Sequence, residues 1–223
     1  STILPLKNFE QKLTVIGANF SLINNQVASD QLNFAPILKF NHSNLINQAN
    51  NLVIDLYSPI MYSLKNSIKL HADFNFSYNQ YNQVNRNSIN NTILQFDPSL
   101  ELNKTQYRLN IGVRPTIANG DFALYPKIEL TKKLKDTNYI LDAGWNTSVN
   151  NNQLMQLIGQ NHWISAPSSM PISSKENKYL NVQVTVSKRL NYGFNMALND
   201  YRELPFFNQT KQMNNPIQEG LKF

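Results

Sequence analysis

His71, Asp73 and Ser77 lie on one side of the alternating segment Ile68 to Tyr78, I-K-L-H-A-D-F-N-F-S-Y. A serine, a histidine and an orienting acid are the parts of a nucleophilic hydrolase site when they converge in space. Here they share one face of one predicted strand, where successive same-side residues stand about 7 Å apart. That is too far for Ser–His contact, so polar packing is the better reading of the three. His42 and His162 fall in predicted connections without a second histidine at metal-ligand spacing, and the chain has no cysteine. Asp97 and Glu101 share one polar face, and Lys127 and Glu129 another. Paired carboxylates could serve acid–base chemistry, but a network with Arg108, Arg114 and Asp142 accounts for them at lower cost. There is no P-loop, dinucleotide fingerprint or calcium loop, and glycine numbers only 7. The reading is therefore no catalytic residue, no metal, no cofactor and no enzyme.

The elements that carry these residues are strands. Even positions of Ile68 to Tyr78 are apolar and odd positions polar, a period of two that puts the classes on opposite faces. Ten such segments are predicted, near 12–23, 32–41, 51–63, 67–79, 92–103, 106–118, 121–133, 138–148, 179–190 and 193–204. Only the third is irregular, with Leu52, Val53 and Ile54 adjacent. Asn103-Lys104-Thr105 and Asn119-Gly120 read as tight turns, the latter because both residues tolerate positive φ. Asn24 to Gln31, Gln80 to Asn91 and Asn150 to Lys178 read as long polar connections. The last holds L-M-Q-L-I, enough for one helical turn, and a Ser/Pro-rich span from Ser165 to Ser174. Short and long connections alternating in this way suit an outer-membrane barrel.

Composition narrows the choice. Apolar residues make up 41% of the 223 and charged residues 15%, below the roughly 25% usual in soluble domains. A mean hydropathy of −0.40 excludes a bundle of membrane helices but not a barrel of alternating strands. The net charge of +6 is scattered, without the basic stripe and stacking aromatics that nucleic acid requires. No signal peptide stands at Ser1, and the tail I-Q-E-G-L-K-F has strand-like spacing, so the expectation is one β domain over 1–223 belonging to a longer polypeptide.

Alternation alone does not decide whether the apolar face is a core or a lipid coat. The segments run to about 10–13 residues, longer than soluble strands of roughly five or six and near the roughly 9–11 of a tilted spanning strand. Their polar faces carry charge at mid-strand. Tyrosines and Trp145 gather near strand ends, as interfacial girdles do. The favoured fold is an all-β, antiparallel transmembrane outer-membrane barrel with about ten strands here, part of a larger barrel.

The later half also carries a family pattern. Phe96-Asp97-Pro98-Ser99-Leu100, Leu109-Asn110-Ile111-Gly112-Val113, Leu124-Tyr125-Pro126-Lys127-Ile128, Leu141-Asp142-Ala143-Gly144-Trp145 and Tyr201-Arg202-Glu203-Leu204-Pro205-Phe206-Phe207-Asn208 occur in that order. In order and spacing this resembles the TonB-dependent receptor-like barrels of Gram-negative Bacteroidota, over roughly Gln95 to Asn208. Gln160-Asn161-His162-Trp163 stands where that group has an Asn-Pro element, and Asn208-Gln209 replaces Asn-Asp. The resemblance implies binding and import of a ligand across the outer membrane, with a plug domain and TonB-type energy coupling, or a lipoprotein partner, outside this sequence. Gln160, Asn161, His162, Trp163, Tyr81 and Arg86 are the residues expected in ligand or partner loops. His71, Asp73, Arg108, Arg114, Lys127 and Glu129 are expected to face the lumen or a plug, and outer-membrane lipid to meet the other face. Two alternatives stay open: a non-transporting structural barrel subunit of a secretion or assembly complex, and a soluble β-sandwich binding module.

Overall fold

The computed structural model describes residues 12–24, 32–65, 67–134, 138–160, 167, 169–187, 190–209 and 219–222. Its strands are β1 (Leu13–Ser21), β2 (Leu32–Phe34), β3 (Ile37–Leu45), β4 (Ala49–Ser58), β5 (Ile60–Lys65), β6 (Ile68–Gln83) and β7 (Ile89–Asn103). There follow β8 (Tyr107–Ala118), β9 (Asp121–Lys133), β10 (Tyr139–Asn151), the helix α1 (Leu154–Gln160), β11 (Ile172–Ser187), β12 (Leu190–Arg202), β13 (Phe206–Gln209) and β14 (Glu219–Lys222). Twelve strands form one sheet in the order β1-β3-β4-β6-β7-β8-β9-β10-β11-β12, with β2 and β5 beside that path. β13 and β14 make a separate hairpin.

Pro36 separates β2 from β3 and Pro59 separates β4 from β5, because a proline has no N–H to keep a ladder running. Counting each broken strand once leaves ten antiparallel passes, wound as a meander. This is the wall of a barrel, all-β and antiparallel. Among the described residues β1 and β12 each pair on one side only.

Register sets the two faces of the wall. Phe74 stands opposite Phe96, Leu100 opposite Ile111, Ile111 opposite Ile128, Ile128 opposite Trp145, and Leu180 opposite Met196. All of them point to the convex side, where Phe122, Leu124, Phe194 and Leu198 are more than half exposed. On β6 the apolar stripe from Ile68 to Tyr78 covers about 34 Å of strand, which a tilt near 45° projects to about 24 Å. Above it Trp145 donates from Nε1 to Glu176 Oε1 at 2.8 Å, and Lys178 Nζ pairs with the same oxygen at 2.9 Å while lying over the indole ring. An apolar belt ends here in a polar aromatic rim.

The concave side is the buried one. Asn51, Asn79, Asn91, Gln95, Asp97, Ser99 and Thr116 are all shielded from water. A small apolar cluster sits at the end marked by the Asn119-Gly120 turn, where Leu154, Leu157 and Ile158 of α1 pack on Leu45, Ala49 and Tyr81 with Met170. The turn itself is as the sequence predicts, with φ of 51° at Asn119 and 95° at Gly120.

Several boundaries differ from the sequence reading. Gln80 to Asn91 was expected to be a long connection, but β6 reaches Gln83 and β7 starts at Ile89. Likewise β11 begins at Ile172, inside the expected 150–178 connection. Beyond the apolar belt neither face needs an apolar residue, so these extensions lack alternation; cross-strand amides such as Asn82 Nδ2 to Asn50 Oδ1 at 2.8 Å bind them instead. His42 also lies within a strand, β3, on the convex side opposite Leu52. Connections at the α1 end are short except for 152–171, so long and short do not simply alternate.

Candidate functional site

Two prolines open the wall where its charge is concentrated. Lys104 N donates to Tyr107 O and Asn119 N to Thr92 O at the two ends of the β7–β8 ladder. Bonded and non-bonded pairs alternate between them. Phe96/Pro115 and Pro98/Val113 fall on bonded positions, and each proline lacks the donor required there. The paired register accordingly stops at Gln95↔Thr116 and resumes at Ser99↔Gly112. Asp97 and Arg114 occupy the gap. A Cβ on Gly112 would lie 2.4 Å from the Pro98 carbonyl oxygen, so only glycine lets the two backbones close again.

Asp97 is the hub. Arg114 donates to its Oδ2 from Nη2 at 2.6 Å and from Nε at 3.1 Å, and Lys127 Nζ donates to the same oxygen at 3.2 Å. The other carboxylate oxygen, Oδ1, is buried without a hydrogen-bond partner in the structure. Arg114 Nη1 reaches across to the backbone carbonyl of Thr147 on β10. Asn75 Nδ2 donates to Gln95 Oε1 at 2.9 Å, and Gln95 Nε2 to Thr116 Oγ1 at 3.3 Å, tying β6, β7 and β8 together beside the charges.

These groups line a cavity of about 500 Å³ that also takes in Tyr57, Asp73, Glu129 and, from β10, Ser148, Val149 and Asn150. A second cavity of about 550 Å³ adjoins it towards α1, lined by Asp55, Ser77, Ile93 and Gln153 among others. Three carboxylates and two cations around one polar cavity can orient a hydrogen-bonding ligand or a partner surface. They do not assemble a nucleophile: Ser77 Oγ donates to Asp55 Oδ1 at 2.6 Å and accepts from Asn151 Nδ2 at 2.8 Å. Among the described residues no group of three or more His, Cys, Asp or Glu is placed to hold a metal.

Above the cavities, neutral amides seat Asn152, Leu154 and Met170 on the concave face. Asn51 donates to Asn79 Oδ1 and accepts from Leu154 N at 3.1 Å; Asn79 donates to Asn152 O at 2.7 Å. Asn91 Nδ2 donates to Met170 O. Tyr81 Oη donates to Pro167 O at 2.8 Å.

Of the residues expected to face the lumen, Asp73, Arg114, Lys127 and Glu129 meet in the one cavity. His71 lies apart, its Nε2 3.4 Å from Glu101 Oε2 without hydrogen-bond alignment. Arg108 is exposed near the opposite end, and Asp142 is held by Thr131 and Asn181 at 3.2 Å each rather than by a cation. Tyr81 corrects its expected place in a ligand loop: it is 1% exposed, on β6, because its ring faces the concave side under α1. Arg86 sits in the exposed β6–β7 turn and Gln160 ends α1, also exposed. Asn161, His162 and Trp163 lie outside the described residues. The sequence places Asp97 with Glu101 on a polar face, in a network with Arg114; that it is the one acceptor shared by Arg114 and Lys127 is seen only in the structure.

No family model matches the chain, and no curated protein matches it. Among solved structures it is similar to the siderophore receptor PirA from Pseudomonas aeruginosa, with a TM-score of 0.64 at 13% identity, over 88% of this chain and 40% of that one. The likeness is one of fold. It supports a wall like that of a receptor barrel, and the chain spans 40% of that receptor's length.

Proposed function

We propose that this chain forms part of the wall of a TonB-dependent receptor-like barrel in a Gram-negative outer membrane, binding a ligand and passing it inward. The observation that carries the reading is the inverted solvation of the sheet. Its large apolar side chains stand exposed on the convex face in a belt of membrane height, while charge is buried on the concave face. In water so wide an apolar surface would drive association; in a bilayer it is the solvated side. In this mechanism the Asp97–Arg114–Lys127 face meets a plug domain and ligand, TonB-type coupling supplies the energy, and the chain acts as a scaffold, not an enzyme. The fold of the siderophore receptor supports the same reading.

Arginine substitution tests it. Phe74 and Asn75 are neighbours on β6 with opposite faces. Phe74→Arg is expected to oppose insertion into a bilayer by about 2–4 kcal/mol, and Asn75→Arg to be far better tolerated. Equal tolerance of both in reconstituted vesicles would remove the membrane assignment.

One feature favours a second reading, a non-transporting barrel subunit of an outer-membrane complex. The amide-pinned connection and α1 already fill one end of the concave face. Uptake of ligand by cells that express the full-length gene separates the two readings: uptake supports a receptor, and none supports the structural subunit.

A further inference from the structure

β10 leaves its neighbour half-way up. It pairs with β9 from Ile140↔Lys133 to Trp145↔Ile128 and no further, although both strands continue. Asn146 to Asn151 instead stay with β11 and turn onto the concave side against β6 and β7, where Thr147, Val149 and Asn151 are buried. Asn151 Nδ2 is bonded to Ser77 Oγ there. Asp121 to Lys127 of β9 are left with β8 on one side and, among the described residues, no strand on the other.

The ladder shows why the break falls there. Lys133 N donates to Gln106 O, so by alternation Pro126/Val113 is a non-bonded pair and the Pro126 nitrogen faces β10. Leu134 N donates to Tyr139 O, so in a continued β9–β10 register Pro126 and Thr147 would form a bonded pair. Pro126 has no N–H for the Thr147 carbonyl. In the structure that carbonyl takes Arg114 Nη1 instead. Val149 fits either position: it is buried beside Ile93 in the fork, and on β9 it would stand beside Leu124 in the apolar belt.

We propose that Asn146 to Asn151 form a two-position gate. In the forked position seen here, Arg114 latches Thr147 and β10 walls the 500 Å³ cavity. In the zipped position the segment continues the register on β9, with Asn146 opposite Lys127 and Asn151 opposite Phe122, and the cavity loses its Ser148–Asn150 side. A ligand of the cavity that takes the Arg114 guanidinium away from Thr147 shifts the gate towards zipping. The gate rests on strand register and on the Arg114 latch, and stands apart from the question of import.

These 223 residues hold no cysteine, so each introduced pair is the only pair of thiols within them. In full-length chain refolded in detergent, Ser77→Cys with Asn151→Cys reports the fork. Tyr125→Cys with Ser148→Cys, opposite one another at a non-bonded position of the continued ladder, reports the zipped form. The fork pair should cross-link rapidly and the zip pair slowly. Pro126→Ala restores one backbone donor and should raise zip-pair cross-linking about fivefold; Arg114→Gln removes the latch and should raise it about tenfold. A zip pair that stays silent in both backgrounds while the fork pair still forms would overturn the gate. So would a zip pair that dominates with Pro126 and Arg114 intact. If Arg114→Gln fails to fold, Pro126→Ala decides alone.

Discussion

Arg114 and Asp97 meet through a single carboxylate oxygen, with Nη2 at 2.6 Å and Nε at 3.1 Å from Oδ2. Two donors on one acceptor hold the guanidinium in a fixed plane, which leaves Nη1 aimed at the carbonyl of Thr147. A third donor, Lys127, shares that oxygen. The wall therefore concentrates its charge on one atom at the height where two prolines have removed backbone bonds.

Asp97→Ala should leave Arg114 and Lys127 without their common acceptor. With the Arg114 side chain 21% exposed, the lower end of the range for a broken buried pair applies, about 3 kcal/mol. Urea unfolding of the refolded chain measures it. Replacing all three groups by apolar residues of similar size should cost less than the single change, and a larger loss in the triple variant would contradict this account.

Gly112→Ala places a methyl group against the Pro98 carbonyl and the Ser99 side chain, 2.4 and 2.5 Å away. Because backbone must move, the expected loss is about 1–3 kcal/mol. Gly159→Ala meets nothing within 4 Å and serves as the control.

Tyr81→Phe keeps the ring in the α1 cluster and deletes only the donor to Pro167 O. About 1–2 kcal/mol should be lost, and limited proteolysis should cut the 152–171 connection sooner. Unchanged cutting would mean that the hydroxyl does not hold the connection.

At Gly120 the cost should be conformational alone. Its φ is 95° and no atom lies within 4 Å of a built Cβ, so Gly120→Ala is expected to destabilise by about 1–2 kcal/mol without any clash. Asn119→Gly keeps the turn's φ but deletes the side-chain bonds from Thr92 N at 2.8 Å and to Asn91 Oδ1 at 2.9 Å, so its loss of about 1–2 kcal/mol on the same measurement should come from those bonds and not from the backbone.

The passes across the belt were legible because their convex-face positions are apolar and the neighbours along each strand are mostly polar. Ile68 to Tyr78 shows that rule without exception, and Asn119-Gly120 announces its turn by φ alone. The same rule hides whatever lies beyond the belt. Ile172 to Lys178 and Gln80 to Gln83 are strands with polar residues on both faces, held by ladder bonds that leave no period in the sequence. Val53 explains the irregular third segment, since it is 2% exposed on the concave side while Leu52 and Ile54 face outward. Of the site, sequence could place Asp73, Arg114, Lys127 and Glu129 on polar faces. It could not reveal that Pro98 and Pro115 fall on either side of the Asp97/Arg114 position in one ladder, because register is set by pairing over distance.

The asparagines that seat α1 carry a consequence of their own. Carboxamides neither titrate nor gather counter-ions, so the seal they make at that end has no reason to loosen in brine, in acid or beside divalent cations. The hub below it is held instead by ion pairs, on which salt can act. One wall thus joins a closure made of neutral groups to a chamber made of charged ones, and added salt would be felt by the chamber before the closure.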